Sequence, residues 1–267
     1  MKKIIITFLF SIFFVCGFSQ SYTITGEYAA SSNNSYTGST YYGYSAGYDG
    51  SGTQYSTAVG YNSQEGTSGT NGDNNNSFGA SSLRRIEDGD HNTAIGSYSG
   101  SYITDGEKNS LLGNYSGNAL TTGNYNERLG YASLYSATTA QFNVAVGFQS
   151  LAYVLQDYNV GVGHNSLLNA TTATQNTSLG ASAGDLITTG DYNTIIGSLA
   201  DPSANSAQNQ TAIGYSATGQ ADNSVTLGNS DVTAVYMAED SGATVYASGL
   251  NLGGTALTST VAELNIL

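Results

Sequence analysis
The apolar positions of this chain follow neither the 3.6-residue period of a helix nor one long alternating run; they return in short clusters, one turn of the repeat after another. An aliphatic residue nearly always stands just before a repeated glycine, as at Val59, Ile95, Leu111-Leu112, Leu129, Val146, Val162, Leu179, Ile196, Ile213 and Leu227. A second apolar column falls seven residues after that glycine, at Ile86, Ile103, Leu120, Ala137, Val154, Ala170 and Ile187. Two inward columns separated by a polar bend predict a coil of two short strands folded around its own interior. The alternation in Thr93-Ala94-Ile95 and Thr194-Ile195-Ile196 supports strand at the glycine.

The glycines set the period. Gly43, Gly60, Gly79, Gly96, Gly113, Gly130, Gly147, Gly163, Gly180, Gly197, Gly214 and Gly228 are separated by 17, 19, 17, 17, 17, 17, 16, 17, 17, 17 and 14 residues. A repeat this short is one coil of a solenoid, which is stable only when its neighbours stack on it. An α-solenoid is the losing alternative, because glycine costs ~1 kcal/mol at each interior helix site and the chain has 34 of them. The predicted fold class is all-β, a parallel β-roll solenoid of about twelve coils of about 17 residues. Strands stacked at ~4.8 Å make this a rod on the order of 55 Å long, with open sheet edges at its ends.

Further columns keep the same register. Asn92, Asn109, Asn126, Asn143, Asn159, Asn176 and Asn193 stand four residues before the glycine. Asparagine tolerates the left-handed conformation of a sharp turn, and stacked copies pass amide hydrogen bonds along an axis, so a structural role is predicted. Three residues after the glycine the chain keeps a small residue, from Ser63 to Ala217. The next position switches between Gly (Gly47, Gly100, Gly117, Gly184) and Leu (Leu83, Leu134, Leu151, Leu167), which predicts layers of unequal filling in a narrow interior. Glu127-Arg128 breaks the strand pattern and predicts a bulged coil or charges paired across a subunit contact, a surface-facing pair at an irregular coil being the commoner case.

Residues 1–20 read as a secretory signal peptide: Lys2 and Lys3 precede an apolar run from Ile4 to Val15 that is too short to span a bilayer. Cys16 follows bulky Phe14 and Val15, which does not suit a lipoprotein cleavage site. Residues 21–38 form a polar lead-in, 39–230 the solenoid head, and 231–267 a neck or connector. Past Gln20 there is no cysteine, hence no disulfide framework, and no stretch apolar enough to cross a membrane. Arg84, Arg85, Lys108 and Arg128 face 19 acidic residues there, a balance of −15 that repels phosphate backbones and argues against nucleic acid as a partner.

The residues of catalysis do not gather in the sequence. His91 and His164 lie on different coils without cysteine, against a zinc site. Gly161-Val162-Gly163 lacks the strand-to-helix context of a nucleotide loop. Asp73, Asp88, Asp90 and the loop Asn71 to Asn76 lack calcium-loop spacing and read as solvated turns. No enzyme, metal or cofactor is expected.

Tyrosine is the more informative residue, with 21 copies and no tryptophan. One series follows the glycine, as Tyr44, Tyr61, Tyr131 and Tyr215 with Phe148 and His164, and as Tyr98 and Tyr115 one place later. Another precedes the asparagine, as His91, Tyr125, Phe142, Tyr158 and Tyr192. Such columns pack as ladders and, where exposed, make a candidate adhesive surface for proteins or glycans. The doublets Thr121-Thr122, Thr138-Thr139, Thr171-Thr172 and Thr188-Thr189 raise ice binding as an alternative, although adjacent strand residues point to opposite faces, so that each doublet gives a flat face one Thr.

Asn92-Thr93-Ala94-Ile95-Gly96, Asn143-Val144-Ala145-Val146-Gly147 and Asn223-Ser224-Val225-Thr226-Leu227-Gly228 resemble the YadA-like head repeats of trimeric autotransporter adhesins. The longer unit from Gly113 to Asn126, and the tail from Gly249 to Leu267, are also similar to segments of phage tail fibres. The resemblance implies a left-handed roll and a homotrimer around a threefold axis, presenting a surface that sticks to host, matrix or glycan. The chain departs from both families, since no stalk, barrel or self-cleaving domain follows the head, and a separate anchoring partner is expected. A secreted or cell-surface adhesin head without catalysis is therefore the expected function. A structural fibre component or an ice-binding solenoid is the alternative.

Overall fold
A computed structural model describes residues 23–29, 38–48, 54–66, 72–236, 250–252 and 255–257. The signal peptide and Cys16 lie outside the described residues. Two units are distinguished, 1–230 and 231–267. In the second, β14 (Leu250–Leu252) and β15 (Thr255–Leu257) pair antiparallel.

The first unit is a β-solenoid with one three-residue strand per coil. Its strands are β1 (Thr23–Thr25), β2 (Thr40–Tyr42), β3 (Thr57–Val59), β4 (Asn76–Phe78), β5 (Thr93–Ile95), β6 (Ser110–Leu112) and β7 (Glu127–Leu129). They continue as β8 (Val144–Val146), β9 (Val160–Val162), β10 (Thr177–Leu179), β11 (Thr194–Ile196), β12 (Thr211–Ile213) and β13 (Val225–Leu227). All thirteen form one sheet in sequence order, each parallel to the next, and no helix occurs among the described residues. The stack begins at β1, inside the segment read from sequence as a polar lead-in.

Each coil has only one strand, where two were expected. On the far side, backbone bonds still join the coils, such as Thr104 N–H to Thr121 O (3.0 Å) and Thr121 N–H to Thr138 O (2.8 Å), but the chain runs there in turns. The reason is conformational, since from Gly43 to Gly180 the residues two and four places after each repeat glycine fall in the left-handed region, which ends any extended run. A third left-handed position is the residue before each asparagine, including Tyr125, Phe142, Tyr158 and Tyr192. The expected turn role therefore belongs to the neighbour of the asparagine and not to the asparagine itself.

The asparagines instead form a buried hydrogen-bond ladder. Asn126 Nδ2 donates to Asn109 Oδ1 below (2.9 Å) and to Ala140 O in the turn above (2.9 Å). Its Oδ1 in turn accepts the backbone N–H of Asn143 (3.1 Å). The same backbone bond recurs from Asn75 to Gln210, and Ser56 and Ser39 begin the column below it. Two residues earlier, Asp73, Asp90, Asp157, Asp191 and Asp222 accept a backbone N–H from the coil below, so carboxylates read as solvated turns are inter-coil caps.

Facing is the main correction. The aliphatics before the glycine, expected to point inward, are exposed or half-buried; Leu129, for instance, is 51% exposed. A three-residue strand has a single central position to turn inward, and it is taken by Tyr41, Ala58, Ala94, Leu111, Ala145 and Ile195. The column seven places after the glycine is fully buried, as expected.

The two sources of core volume complement each other. Where the strand centre is large, as at Leu111, Arg128 and Ile195, the fourth residue after the preceding coil's glycine is Gly100, Gly117 and Gly184. A Cβ on Gly100 would stand 2.7 Å from Leu111 Cδ1, and one on Gly117 would meet Arg128 Nη1. Where the centre is small, as at Ala94, Ala145, Gly161 and Ser178, the slot is filled by Leu83, Leu134, Leu151 and Leu167. These leucines have φ of 46–55°, a conformation that costs a side-chain-bearing residue ~1–2 kcal/mol. Core filling outweighs that cost, because burying a leucine contributes ~1.5–3 kcal/mol.

Arg128 is the exception to an apolar centre. Register runs through β7 without a bulge, with Leu111, Arg128 and Ala145 aligned, and the side chain points inward while Glu127 is exposed. None of its three guanidinium nitrogens has a hydrogen-bond partner, and it separates the cluster ending at Leu120 from the one starting at Leu134. The expected surface pair is therefore overturned. Burial pushes its pKa down to about 9, well below the usual arginine range. Between about 9 and that usual range the unfolded chain binds more protons than the folded one, so stability rises with pH there, and the cost is complete below pH 9.

Two outcomes are expected. Gly130 has φ +144°, and an added Cβ would lie 2.6 Å from the Gly147 carbonyl carbon; Gly130→Val should destabilise by at least ~3 kcal/mol or abolish folding, as followed by circular dichroism. Arg128→Leu should stabilise the chain by ~1–4 kcal/mol at pH 7. Its advantage over wild type in thermal melts should shrink above pH 9, where wild type sheds the buried charge.

Candidate functional site
The residues singled out as an adhesive surface all lie at the surface in two columns that flank the strands along the chain. Tyr44, Tyr61, Tyr98, Tyr125, Tyr131, Tyr158, Tyr192 and Tyr215 are exposed, and Tyr115 is half-buried. The first column follows the glycine and the second is the left-handed residue before the asparagine ladder. Backbone bonds between coils hold each ring over the one below, so the spacing of the rings is inherited from the sheet.

The rings stack in runs. Tyr125, Phe142 and Tyr158 form one run, with centroids 5.0 Å apart at both steps and planes within 7° of parallel. In the other column Tyr44 lies on Tyr61 (5.3 Å), Tyr98 on Tyr115 (5.2 Å), and Tyr131 on Phe148 on His164 (5.4 and 5.2 Å). Tyr192 and Tyr215 make no ring contact among the described residues, since Gln175 and Asn209 neighbour the first and Ser198 precedes the second.

Cations decorate the columns sparsely. Lys108 Nζ sits 5.0 Å from the Tyr125 centroid and bonds both Glu107 (3.0 Å) and the Tyr125 hydroxyl (3.2 Å). The Glu107 bond, then the Tyr125 hydroxyl, raise the lysine pKa. Arg85 lies 4.5 Å over Tyr102. The Tyr44 phenol is raised by lost hydration and then by Tyr28 and Tyr61 beside it.

The first column does not run straight. Tyr98 and Tyr115 stand two places after their glycines, whereas Tyr131, Phe148 and His164 stand one place after. At the step the rings turn edge to face, Tyr115 against Tyr131 at 5.9 Å and 68°. Tyr135 and Tyr153, which the column reading passed over, join them around a surface hollow of about 360 Å³ floored by Ala132 and Ala152. Tyr135 stands five places after Gly130 and Tyr153 six after Gly147, so no single column of the repeat marks them.

The other candidates stay apart. His91 and His164 lie on separate coils, and no group of three or more His, Cys, Asp or Glu among the described residues is placed to hold a metal ion. Thr121 and Thr171 direct their hydroxyls to backbone carbonyls of the next coil (2.9 and 3.3 Å), as turn residues do. No helix among the described residues is long and apolar enough to cross a membrane.

Removing one ring from a run separates the two it bridges. Phe142→Ala should cost about 1 kcal/mol in urea unfolding, and Tyr192→Ala, outside any run, less than half as much. Compared with protein-family models, characterised proteins and solved structures, the chain matches none.

Proposed function
We propose that this chain is the head of a secreted or cell-surface adhesin, assembled as a homotrimer and binding protein or glycan surfaces without catalysis. The observation that carries this reading is the repetition of exposed aromatic side chains, in register, along one solenoid. Tyrosine supplies broad amphipathic contact area at low ordering cost, and repetition multiplies weak contacts into avidity.

Self-association has its own support. The third strand position presents an outward row of Tyr42, Phe78, Ile95, Leu112, Leu129 and Leu179, continued by Ile213 and Leu227. Contiguous outward apolar rows on soluble rods mark interaction surfaces. Three copies meeting along that row, as in the YadA-like heads the repeats resemble, bury it and leave the aromatic columns free. Secretion rests on the leader pattern of residues 1–20.

Light scattering on residues 21–267 should give three times the chain mass, and Leu129→Asp with Leu179→Asp should reduce it to one. A monomeric wild type overturns the trimer. Beads coated with the head should adhere to matrix-protein or glycan surfaces, and failure on every surface overturns the adhesin.

A further inference from the structure
The hollow at Tyr131 occurs twice. At the start of the solenoid the aromatic column makes the same step, from Tyr28, two places after Gly26, to Tyr44, one place after Gly43. Tyr28 and Tyr44 meet edge to face at 5.5 Å and 74°, as Tyr115 and Tyr131 do at 5.9 Å and 68°. Tyr48 stands five places after its glycine, as Tyr135 does, and Asn62 matches Gln149 two places after the glycine of the next coil. A hollow opens at each place, about 330 Å³ at the first and 360 Å³ at the second. Gly26 and Gly113 are five coils apart, a separation of about 24 Å at the strand spacing.

We infer that these two equivalent hollows are binding subsites for neutral saccharides, deepening the adhesin reading on which the inference rests. Inside the stacked runs each ring lies flat on its neighbour, as Tyr131 does on Phe148 and Tyr44 on Tyr61. At the two steps the edge-to-face turn leaves a ring face open, and a sugar's C–H face packs on such a surface. The polar half of the requirement is met beside it. Among the described residues, the hydroxyls of Tyr115, Tyr131, Tyr135 and Tyr153 and the side-chain amide of Gln149 have no protein partner and are open to solvent, and Asn62 Oδ1, like Asn165 Oδ1 at the same offset, is buried without one. Solvent-facing donors and acceptors around an apolar floor, free to exchange water for ligand, suit a ligand dense in hydroxyls. No Lys or Arg lines either hollow, the Glu65 that lines the first is already paired with Arg84 (2.7 Å), and the chain carries a net charge of −13. That balance selects neutral sugars over sialylated or sulfated ones. Volumes near the low end of the ~300–1,000 Å³ of small-molecule sites fit a short saccharide segment.

The test is an array of neutral oligosaccharides, of glucose, galactose and mannose in lengths of about two to six units, printed beside sialylated and sulfated ones and probed with the purified chain. Binding to neutral members is expected. Tyr131→Ala should weaken it at least tenfold and Tyr44→Ala with Tyr131→Ala should remove it, while Phe142→Ala, in the other column, leaves it intact. Should the alanine variants lose their fold by circular dichroism, Gln149→Ala with Asn62→Ala, which keep every ring, should still weaken binding several-fold. Three array results overturn the inference: no neutral saccharide bound by the intact chain, binding confined to acidic glycans, or binding undiminished in the double variants. Bead adhesion that survives Tyr44→Ala with Tyr131→Ala also sinks the subsites while leaving the adhesin reading in place. Saccharide binding by a chain whose beads adhere nowhere does the reverse.

Discussion
The structure depends on keeping its stacked asparagine amides satisfied inside a narrow coil. A buried amide without partners costs more than a made bond contributes, ~1–3 kcal/mol against about 1. Each ladder asparagine meets that demand from three directions, the coil below, the coil above and a turn carbonyl. This ties strand and turn of one coil to the next at the same height. It also explains why coils of 16, 17 and 19 residues stack without losing strand register, because extra residues are taken up away from the ladder.

With the ladder fixing the corner, the interior has little freedom left. One strand residue and one left-handed residue share each layer of the core, so a large side chain from one requires a small one from the other. Gly117 makes room for Arg128 as Gly100 does for Leu111. Arg128 therefore fits by shape and fails by charge, a guanidinium in a slot made for a hydrocarbon. Buried serines elsewhere, such as Ser116 and Ser133 at 3.2 Å, are paired across coils.

The surface inherits the same regularity. Rings one coil apart are brought to about 5 Å by the sheet, so stacking comes with the fold and each run contributes to stability. Where the column shifts by one residue the rings turn edge to face instead of stacking. The proposed sugar subsites therefore arise from irregularity in the repeat, while the outward apolar row arises from its regularity.

How much of this was legible in the chain can be argued from a few positions. The period of Gly43 to Gly228, the buried column from Ile86 to Ile187 and the importance of Asn92 to Asn193 were readable, because stacked coils repeat every local demand at the same place. The facing of Leu129 and Ile95 was not. An aliphatic residue beside a glycine reads as core, and only the brevity of the strand, with one inward place, sends it outward. Arg128 was misread for the same reason, since its slot depends on Gly117, eleven residues away in sequence and adjacent in space. The two hollows combine side chains from successive coils, and the angle between their rings follows from how those coils stack. By itself the sequence determined the repeat, its period and its buried columns, which are local and periodic. The tertiary structure decided which way each strand faces and where open ring faces gather, because both depend on contacts between coils.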